Sequence, residues 1–339
     1  MSVRVGINGF GRIGRAFFRV AWENPDVEVV ALNDLGDLNN LAYLLKYDSV
    51  YRTFGPEVRA EGGGLTVGDK RVHVTSEKDP AQLPWRELNV GVVVESTGVF
   101  ESYEKASAHL TAGAKRVVIT APVKDEAPNG ATVLVGVNEE RLQTCEVSSN
   151  ASCTTNAGSP LIAILDEKLG IEKAILNTTH AYTATQSLVD GPVKGADMRR
   201  GRAAAQNITP SSTGAAVAVT KAYEALAGKF DGISLRVPVV AGSIVDVTFV
   251  AKRETNAEEV NSLLEAAANE ERWKGVFAVT KEPLVSSDII GNPHASVADL
   301  SMTRVVGGNL VKVLAWYDNE MGYAHTLVRH VKVAGKYAQ

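Results

Sequence analysis

A short apolar run, residues 3–8, stops at Gly9-Phe10-Gly11-Arg12-Ile13-Gly14 and gives way to a helical pattern carrying Ala16, Phe17, Val20 and Ala21. Glycines at this spacing, between a strand and a helix, restrict the chain to a tight phosphate-binding turn of the dinucleotide-binding kind. Gly9 is expected to make the turn, Gly11 to let a pyrophosphate approach the backbone, and Gly14 to let helix and strand pack closely. The helix N-terminus then faces the phosphates. Asp34 stands twenty residues beyond Gly14, at the end of the next strand, 28–33. A carboxylate there accepts from a ribose diol and repels a 2′-phosphate, which predicts NAD rather than NADP. The plainer alternative for Asp34 is a loop acid or helix cap.

Strand and helix patterns keep alternating after this motif. Strands are expected near 90–95, 116–120 and 132–137, a helix near 103–110, and hairpin material over 58–74 around Gly62-Gly63-Gly64 and Gly68-Asp69. From Ser149 the character changes. A strand at 173–180 leads into a long stretch, 181–210, rich in Gly, Arg and small polar residues. Three long strands follow, 233–239, 244–253 and 309–316, with helices at 215–226, 257–269 and 322–334. Strands without intervening helices imply antiparallel pairing. The expected architecture is an α/β Rossmann-type dinucleotide-binding domain, residues 1–150, followed by an α+β catalytic domain, 151–316, whose sheet is mainly antiparallel.

With 339 residues, two domains are the default. The net charge of -4 argues against a dedicated nucleic-acid site. Cys145 and Cys153 are the only cysteines, which implies a reducing compartment and no disulfide framework. The start of the chain has no signal-peptide character and no stretch approaches a membrane span, so a cytoplasmic protein is expected, with no metal.

Cys153 lies where the polar run Ser149-Asn150-Ala151-Ser152 meets a helical repeat at Leu161, Ile164, Leu165 and Leu169. Thr154, Thr155 or Asn156 can each cap that helix, and Pro160 is tolerated only in a first turn, so the thiol is expected at or just before the N-terminus. Unpaired backbone N–H groups and the helix dipole favour thiolate there. A buried small hydrophobe is the alternative reading of the cysteine. The thiol needs a base, and His180, at the end of a strand entering the long loop, is the candidate.

The second theme is anion binding. Thr183, Arg199, Arg200, Arg202, Ser211, Ser212, Thr213 and Gly214 supply hydroxyls, guanidinium groups and a glycine before a helix. Arg236 interrupts the apolar run Ile233-Ser234-Leu235-Arg236-Val237-Pro238, and an arginine on a buried strand must find a carboxylate or phosphate. A thiolate adding to an aldehyde gives a hemithioacetal that NAD can oxidise to a thioester, and bound inorganic phosphate then releases an acyl phosphate.

The chain closely resembles the phosphorylating glyceraldehyde-3-phosphate dehydrogenases over nearly its whole length. The matching motifs run from Gly6-Ile7-Asn8-Gly9-Phe10-Gly11-Arg12-Ile13-Gly14-Arg15 through Ala151-Ser152-Cys153-Thr154-Thr155-Asn156, His180-Ala181-Tyr182-Thr183, Ser212-Thr213-Gly214-Ala215-Ala216 and Leu235-Arg236-Val237-Pro238 to Trp316-Tyr317-Asp318-Asn319-Glu320. The resemblance implies that Cys153 is the acylated nucleophile and His180 its base. It also implies that Arg12, Ile13 and Asp34 hold the adenosine and pyrophosphate half of NAD, that Lys78 and Thr120 line its site, and that Asn319 holds the nicotinamide carboxamide. Ser152, Thr154, Thr213 and Gly214 match positions around inorganic phosphate. Thr183, Arg199 and Arg236 match residues around the phosphate of glyceraldehyde 3-phosphate. The 181–210 stretch corresponds to the family's S-shaped loop in a homotetramer, and the closing helix, about 317–339, is expected to rejoin the nucleotide domain.

Four departures qualify the resemblance. Ala157 replaces a frequent second cysteine, Met321 a usual tryptophan, and Lys78 a frequent arginine, while 193–197 is slightly lengthened, which bears on Arg199. Two variants remain open on sequence grounds: an erythrose-4-phosphate dehydrogenase, and an NADP-using reductive form.

Overall fold

The apolar runs that sequence analysis reads as doubly covered strands are buried on both sides. Val92, Val93, Val94, Val117 and Val118 are fully inaccessible, because they lie in the middle of a sheet of nine strands. The computed structural model describes residues 2–193 and 196–338. The lengthened segment at 193–197 therefore includes two residues, Lys194 and Gly195, that lie outside the described ones.

Contacts divide the chain into two units, residues up to Ala151 with those from Ala324 on, and Ser152–Tyr323. In the first, the sheet runs in the order Gly130–Thr132, Val147–Ser149, Arg116–Ile119, Val92–Glu95, Val3–Asn8, Val27–Asn33, Lys70–Thr75, Gly64–Val67, Val58–Glu61. Its members from Gly130–Thr132 to Lys70–Thr75 pair in parallel. The last two form antiparallel hairpins added at one edge.

Local expectations fail at three places in this unit. The strand expected over 132–137 is instead Gly130–Thr132, which ends where that run begins. Val133, Leu134 and Val135 are buried and Val133 N–H still reaches Ser149 O, but Leu134 N–H is taken by the Asn138 side chain and Val137 N–H by Leu134 O, so the run turns after Val133. The neighbouring strand is Val147–Ser149, which is too short to read by alternation. The expected helix at 103–110 is two single turns, Tyr103–Ala106 and Ala108–Thr111, meeting at Ser107, whose hydroxyl donates back to Tyr103 O.

The second unit has an eight-stranded sheet, whose path runs Thr209–Ser212, Phe230–Val237, Ile171–Ala181, Ser243–Ala251, Leu310–Tyr317, Ser296–Asp299, Phe277–Thr280, with Arg304–Val306 paired to Leu310–Tyr317. Most pairs are antiparallel. Two are parallel, Ile171–Ala181 with Phe230–Val237, between which the helix Ala215–Ala222 intervenes, and Phe277–Thr280 with Ser296–Asp299. The helix Cys153–Leu169 packs on one face, where Val245, Val247 and Phe249 are buried in alternation. The opposite face leaves Ile175 and Ile233 more than half exposed.

The helix Cys153–Leu169 corrects two details. Its cap is Ser152, two residues before the first of the candidates from sequence, and Cys153 is its first residue. Pro160 sits well inside it, where the missing N–H and ring clash cost about 3 kcal/mol in an isolated helix. Every residue from Thr154 to Leu165 is buried, so packing outweighs that local cost.

Candidate active site

In the first unit the three glycines have three different environments. Gly9 has φ +93°, and a Cβ on it would lie 2.6 Å from Thr97 N. A Cβ on Gly14 would lie 2.2 Å from Gly9 O, so the first helical turn fits against the loop only without a side chain. A Cβ on Gly11 would meet nothing within 4 Å. Gly11 is the N-cap of Arg12–Trp22, and no side chain caps it. The first-turn N–H groups thus face open space with no intervening side chain, which fits a pyrophosphate.

Asp34 completes this loop. One carboxylate oxygen accepts from Phe10 N at 2.7 Å and the other from Gly36 N at 2.8 Å, so the acid is fixed against the glycine turn while each oxygen retains capacity for a ribose diol. Arg12 is paired with Asp48 and lies over the Tyr51 ring. Ile13 follows it in the first turn, part-buried. Thr120 is part-buried, with its N–H and hydroxyl both on Glu95 O, and Lys78 is exposed in the loop after Lys70–Thr75. Glu95, which sequence analysis passed over, is buried at the end of its strand and accepts from Asn8 at 2.6 Å, from His109 at 2.9 Å and from Thr97 N at 2.9 Å. It pins the turn that crosses beside Gly9.

In the second unit, Cys153 Sγ lies 3.3 Å from His180 Nε2. The helix N-terminus carries the thiol and the sheet carries the imidazole. His180 and Arg236 are register partners on adjacent parallel strands, and Arg236 Nη1 comes within 2.7 Å of His180 Nδ1. The same Nη1 donates to Ala181 O at 3.2 Å, and that carbonyl is 2.6 Å from Nδ1. Arg236 Nε is buried with no partner, and no carboxylate pairs with this guanidinium among the described residues. A buried cation with an unmet donor is an anion site in waiting.

Electrostatics revise one expectation. Burial pushes the Cys153 thiol above its ordinary value, although Arg236 and the Thr154 and Cys153 N–H groups pull the other way. The helix N-terminus alone does not ionise the sulfur. Burial, reinforced by Arg236, lowers the His180 imidazole to about 3. Burial thus works against charge on both partners, while Arg236 favours a charged sulfur and disfavours a charged ring.

The remaining candidates are placed as follows. Ser152 Oγ accepts from Thr155 N at 3.1 Å within the helix start, and Thr154 Oγ1 meets Tyr317 OH, on the strand Leu310–Tyr317, at 2.9 Å. Thr213 Oγ1 accepts from Ala215 N at 3.1 Å, and Gly214 is the exposed N-cap of Ala215–Ala222. Thr183 Oγ1 is 3.0 Å from Thr185 Oγ1, which accepts from Arg200. Arg199 is exposed, whereas Arg200 is part-buried, bonded to Ser211 and Asp197, and close enough to bear on the charge of both His180 and Arg236. Of these two neighbours, Arg199 is the one expected from the resemblance and is the more exposed. Asn319 is buried, and its carbonyl accepts from Ser243 Oγ at 3.0 Å.

Ser243 and Tyr317 were legible but unread. Ser243 shares the inward phase of Val245, Val247 and Phe249, and Tyr317 that of Val311, Val313 and Ala315. A polar group at an inward position of an alternating strand signals a buried hydrogen-bond partner. Ser243 Oγ links Asn319 to Ala181 N, next to His180. The Tyr317 hydroxyl joins Thr154 to Thr178.

Residues 3–103 match the family described as "Glyceraldehyde 3-phosphate dehydrogenase, NAD binding domain", and residues 152–319 its "C-terminal domain". The chain is 48% identical over 330 residues to glyceraldehyde-3-phosphate dehydrogenase of Geobacillus stearothermophilus, and equally to glyceraldehyde-3-phosphate dehydrogenase 1 of Bacillus subtilis, covering 97% of each. It is 47% identical over 344 residues to the enzyme so named in Mycobacterium avium, covering 99% of both chains.

Proposed function

This chain belongs to the glyceraldehyde-3-phosphate dehydrogenase family, and on that premise we propose that Cys153 and His180 carry out the reversible oxidative phosphorylation of glyceraldehyde 3-phosphate. The protein is an oxidoreductase of glycolysis that uses NAD. The observation that carries the residue assignment is the 3.3 Å approach of Cys153 Sγ to His180 Nε2, with Arg236 on the far side of the ring.

His180 Nε2 takes the thiol proton as Cys153 Sγ bonds to the aldehyde carbon. The resulting imidazolium returns that proton to the carbonyl oxygen, giving a hemithioacetal. Bound NAD supplies the acceptor for the hydride that leaves the same carbon. His180 removes the hydroxyl proton as the carbonyl re-forms, which leaves a thioester on Cys153. Inorganic phosphate displaces the sulfur, the departing thiolate takes the proton held on His180, the phosphate's own proton goes to water, and the products are 1,3-bisphosphoglycerate and the Cys153 thiol.

Arg236 with its unmet Nε, supported by Arg200 and Thr183, holds the substrate's own phosphate. The attacking phosphate sits by Ser152, Thr154, Thr213 and Gly214, where two helix N-termini supply N–H groups. Gly9, Gly11, Arg12, Ile13, Gly14, Asp34, Lys78 and Thr120 bind the adenosine and pyrophosphate portion of NAD, and Asn319 its carboxamide.

Exposed Leu188, Val189, Met198 and Ile208 in the 181–210 stretch, with the open sheet face at Ile175 and Ile233, support burial against further copies in a homotetramer. Two free cysteines support a cytoplasmic setting, and among the described residues no helix is long and apolar enough to cross a membrane.

The test is a steady-state assay with glyceraldehyde 3-phosphate. The reading requires turnover that depends on both NAD and inorganic phosphate, with NADP a poor replacement. Turnover that continues at full rate without phosphate, or that prefers NADP, overturns it. Faster turnover of erythrose 4-phosphate reassigns the substrate, a result that the names of the relatives do not favour.

A further inference from the structure

Ser243 is the register partner of Tyr317, and Asn319 follows that tyrosine by two residues. The Ser243 hydroxyl accepts from Ala181 N at 3.1 Å and lies 3.0 Å from Asn319 Oδ1. A backbone N–H can only donate, so the one hydroxyl hydrogen is left for an acceptor, and Asn319 Oδ1 is that acceptor. With the amide turned round, Nδ2 and Ala181 N would both donate to Ser243 Oγ, and its hydrogen would have no acceptor at a residue 1% exposed. The amide is thus held with its oxygen inward. Asn319 Nδ2 makes no hydrogen bond among the described residues and stays open to solvent. The backbone beside it is fixed as well, because the Asp318 carboxylate accepts from Glu320 N, Met321 N and Gly291 N.

We propose that Ser243 is a positioning residue for the cofactor: it fixes Asn319 as a hydrogen-bond donor, so that Nδ2 grips the carboxamide of NAD by its carbonyl oxygen and not by its NH2 group. The inference rests on the reading above that Asn319 holds that carboxamide. An asparagine free to turn offers either a donor or an acceptor, and a carboxamide has one end of each kind, so the pair could meet in two orientations. With Oδ1 committed to Ser243, one of them is favoured. Ala181 N, on the same Ser243 oxygen, belongs to the strand that carries His180, so the amide is set against the element bearing the base.

Two NAD analogues separate the ends of the carboxamide. The 3-acetylpyridine analogue keeps the carbonyl oxygen and has a methyl group for NH2, whereas the thionicotinamide analogue keeps NH2 and replaces the oxygen by sulfur, a weaker acceptor. Calorimetry of the oxidised forms with the full-length protein gives a dissociation constant for each, and their ratio cancels any general loosening of the site. In the unmodified protein the thionicotinamide analogue is expected to bind about fivefold more weakly than the acetylpyridine analogue, the contribution of one neutral hydrogen bond. Ser243→Ala frees the amide to turn and should bring the ratio near one. Asn319→Asp, whose second oxygen can only accept, should reverse the order, since it meets the NH2 group alone. Ser243→Thr, which keeps the hydroxyl, should keep the order of the unmodified protein.

Equal or tighter binding of the thionicotinamide analogue by the unmodified protein, or an unchanged ratio in Ser243→Ala, overturns the inference. A merely structural role for Ser243 gives the second result, an equal weakening of both analogues. If Asn319→Asp still changes the ratio in that case, Asn319 stands as the holder of the carboxamide without it. If Asn319→Asp leaves both constants unchanged, that assignment and the inference fall together, while turnover that depends on NAD and phosphate keeps the proposed function. The ratio in the unmodified protein decides the matter even where Ser243→Ala does not fold.

Discussion

The Tyr317 hydroxyl lies 2.9 Å from Thr154 Oγ1, tying the last long strand of the sheet to the first turn of the nucleophile helix. Thr178 Oγ1 stands 2.8 Å away on the other side, and the Tyr317 ring meets the His180 ring edge to face at 5.9 Å. Thiol and imidazole reach each other from separate elements, and Tyr317 fixes both. Tyr317→Phe keeps the ring contact and removes the hydroxyl, leaving two buried threonine hydroxyls short of a partner. Unfolding in denaturant should show a loss of about 1 to 3 kcal/mol. An unchanged midpoint contradicts the buried network.

The three glycines of the first turn separate folding from binding. Gly14→Ala puts a Cβ 2.2 Å from Gly9 O and should lower the thermal midpoint of the nucleotide-binding unit markedly. Gly11→Ala meets no protein atom within 4 Å, so it should leave that midpoint within about 2 °C, since a surface change is worth ±0.5 kcal/mol or less. It should nevertheless weaken NAD binding, measured by calorimetry, because the methyl enters the space left for the pyrophosphate. Equal effects of the two substitutions on stability contradict this division.

Asp34 accepts from Phe10 N and Gly36 N, so its replacement should both loosen the turn and lose the diol contact. For Asp34→Ala a roughly tenfold or greater rise in the NAD dissociation constant is expected, the equivalent of one charge-assisted hydrogen bond. NADP binding should fall less or improve, because the repelling carboxylate is gone. A uniform loss for both nucleotides places the discrimination elsewhere.

His330 gives the first unit an acid-sensitive fastening. Its Nδ1 bonds Asn150 Oδ1 at 3.0 Å, which can only accept, so Nε2 accepts from Ser148 Oγ at 2.7 Å. Burial lowers this imidazole from 6.5 to about 3. The unfolded chain takes up the proton first, so the contribution is complete above pH 6.5 and is lost progressively as pH falls toward 3. Between pH 8 and pH 5 this one group should account for about 2 kcal/mol of lost stability. Urea titrations at both values, on the unmodified protein and His330→Gln, measure it as the difference between their pH slopes. Identical slopes contradict the assignment.

Much of this was written in the sequence because local rules and tertiary packing agree there. The glycine turn, Asp34, and the polar-to-apolar step at Cys153 each announce a strand or helix boundary. Where packing overrides local preference, the sequence misleads: Pro160 sits inside a helix buried from Thr154 to Leu165, and 134–135 is apolar and buried without continuing the strand. The proximity of His180 to Arg236 follows from the register of strands more than fifty residues apart, which no local pattern encodes. Ser243 and Tyr317 had a usable signal in strand alternation, whereas the choice of Arg200 over Arg199 depends on the path of an irregular loop.

The central claim is that Cys153 is acylated by the aldehyde with His180 as its base. Rapid mixing of the protein with NAD and glyceraldehyde 3-phosphate, without inorganic phosphate, followed by quenching and mass analysis, tests it most directly. The account predicts a burst of NADH approaching one per chain, with the added acyl group on the peptide bearing Cys153, a burst slowed at least a hundredfold in His180→Asn, the low end for a general base, and none in Cys153→Ser. A full burst in Cys153→Ser, or an acyl group on any other residue, contradicts it.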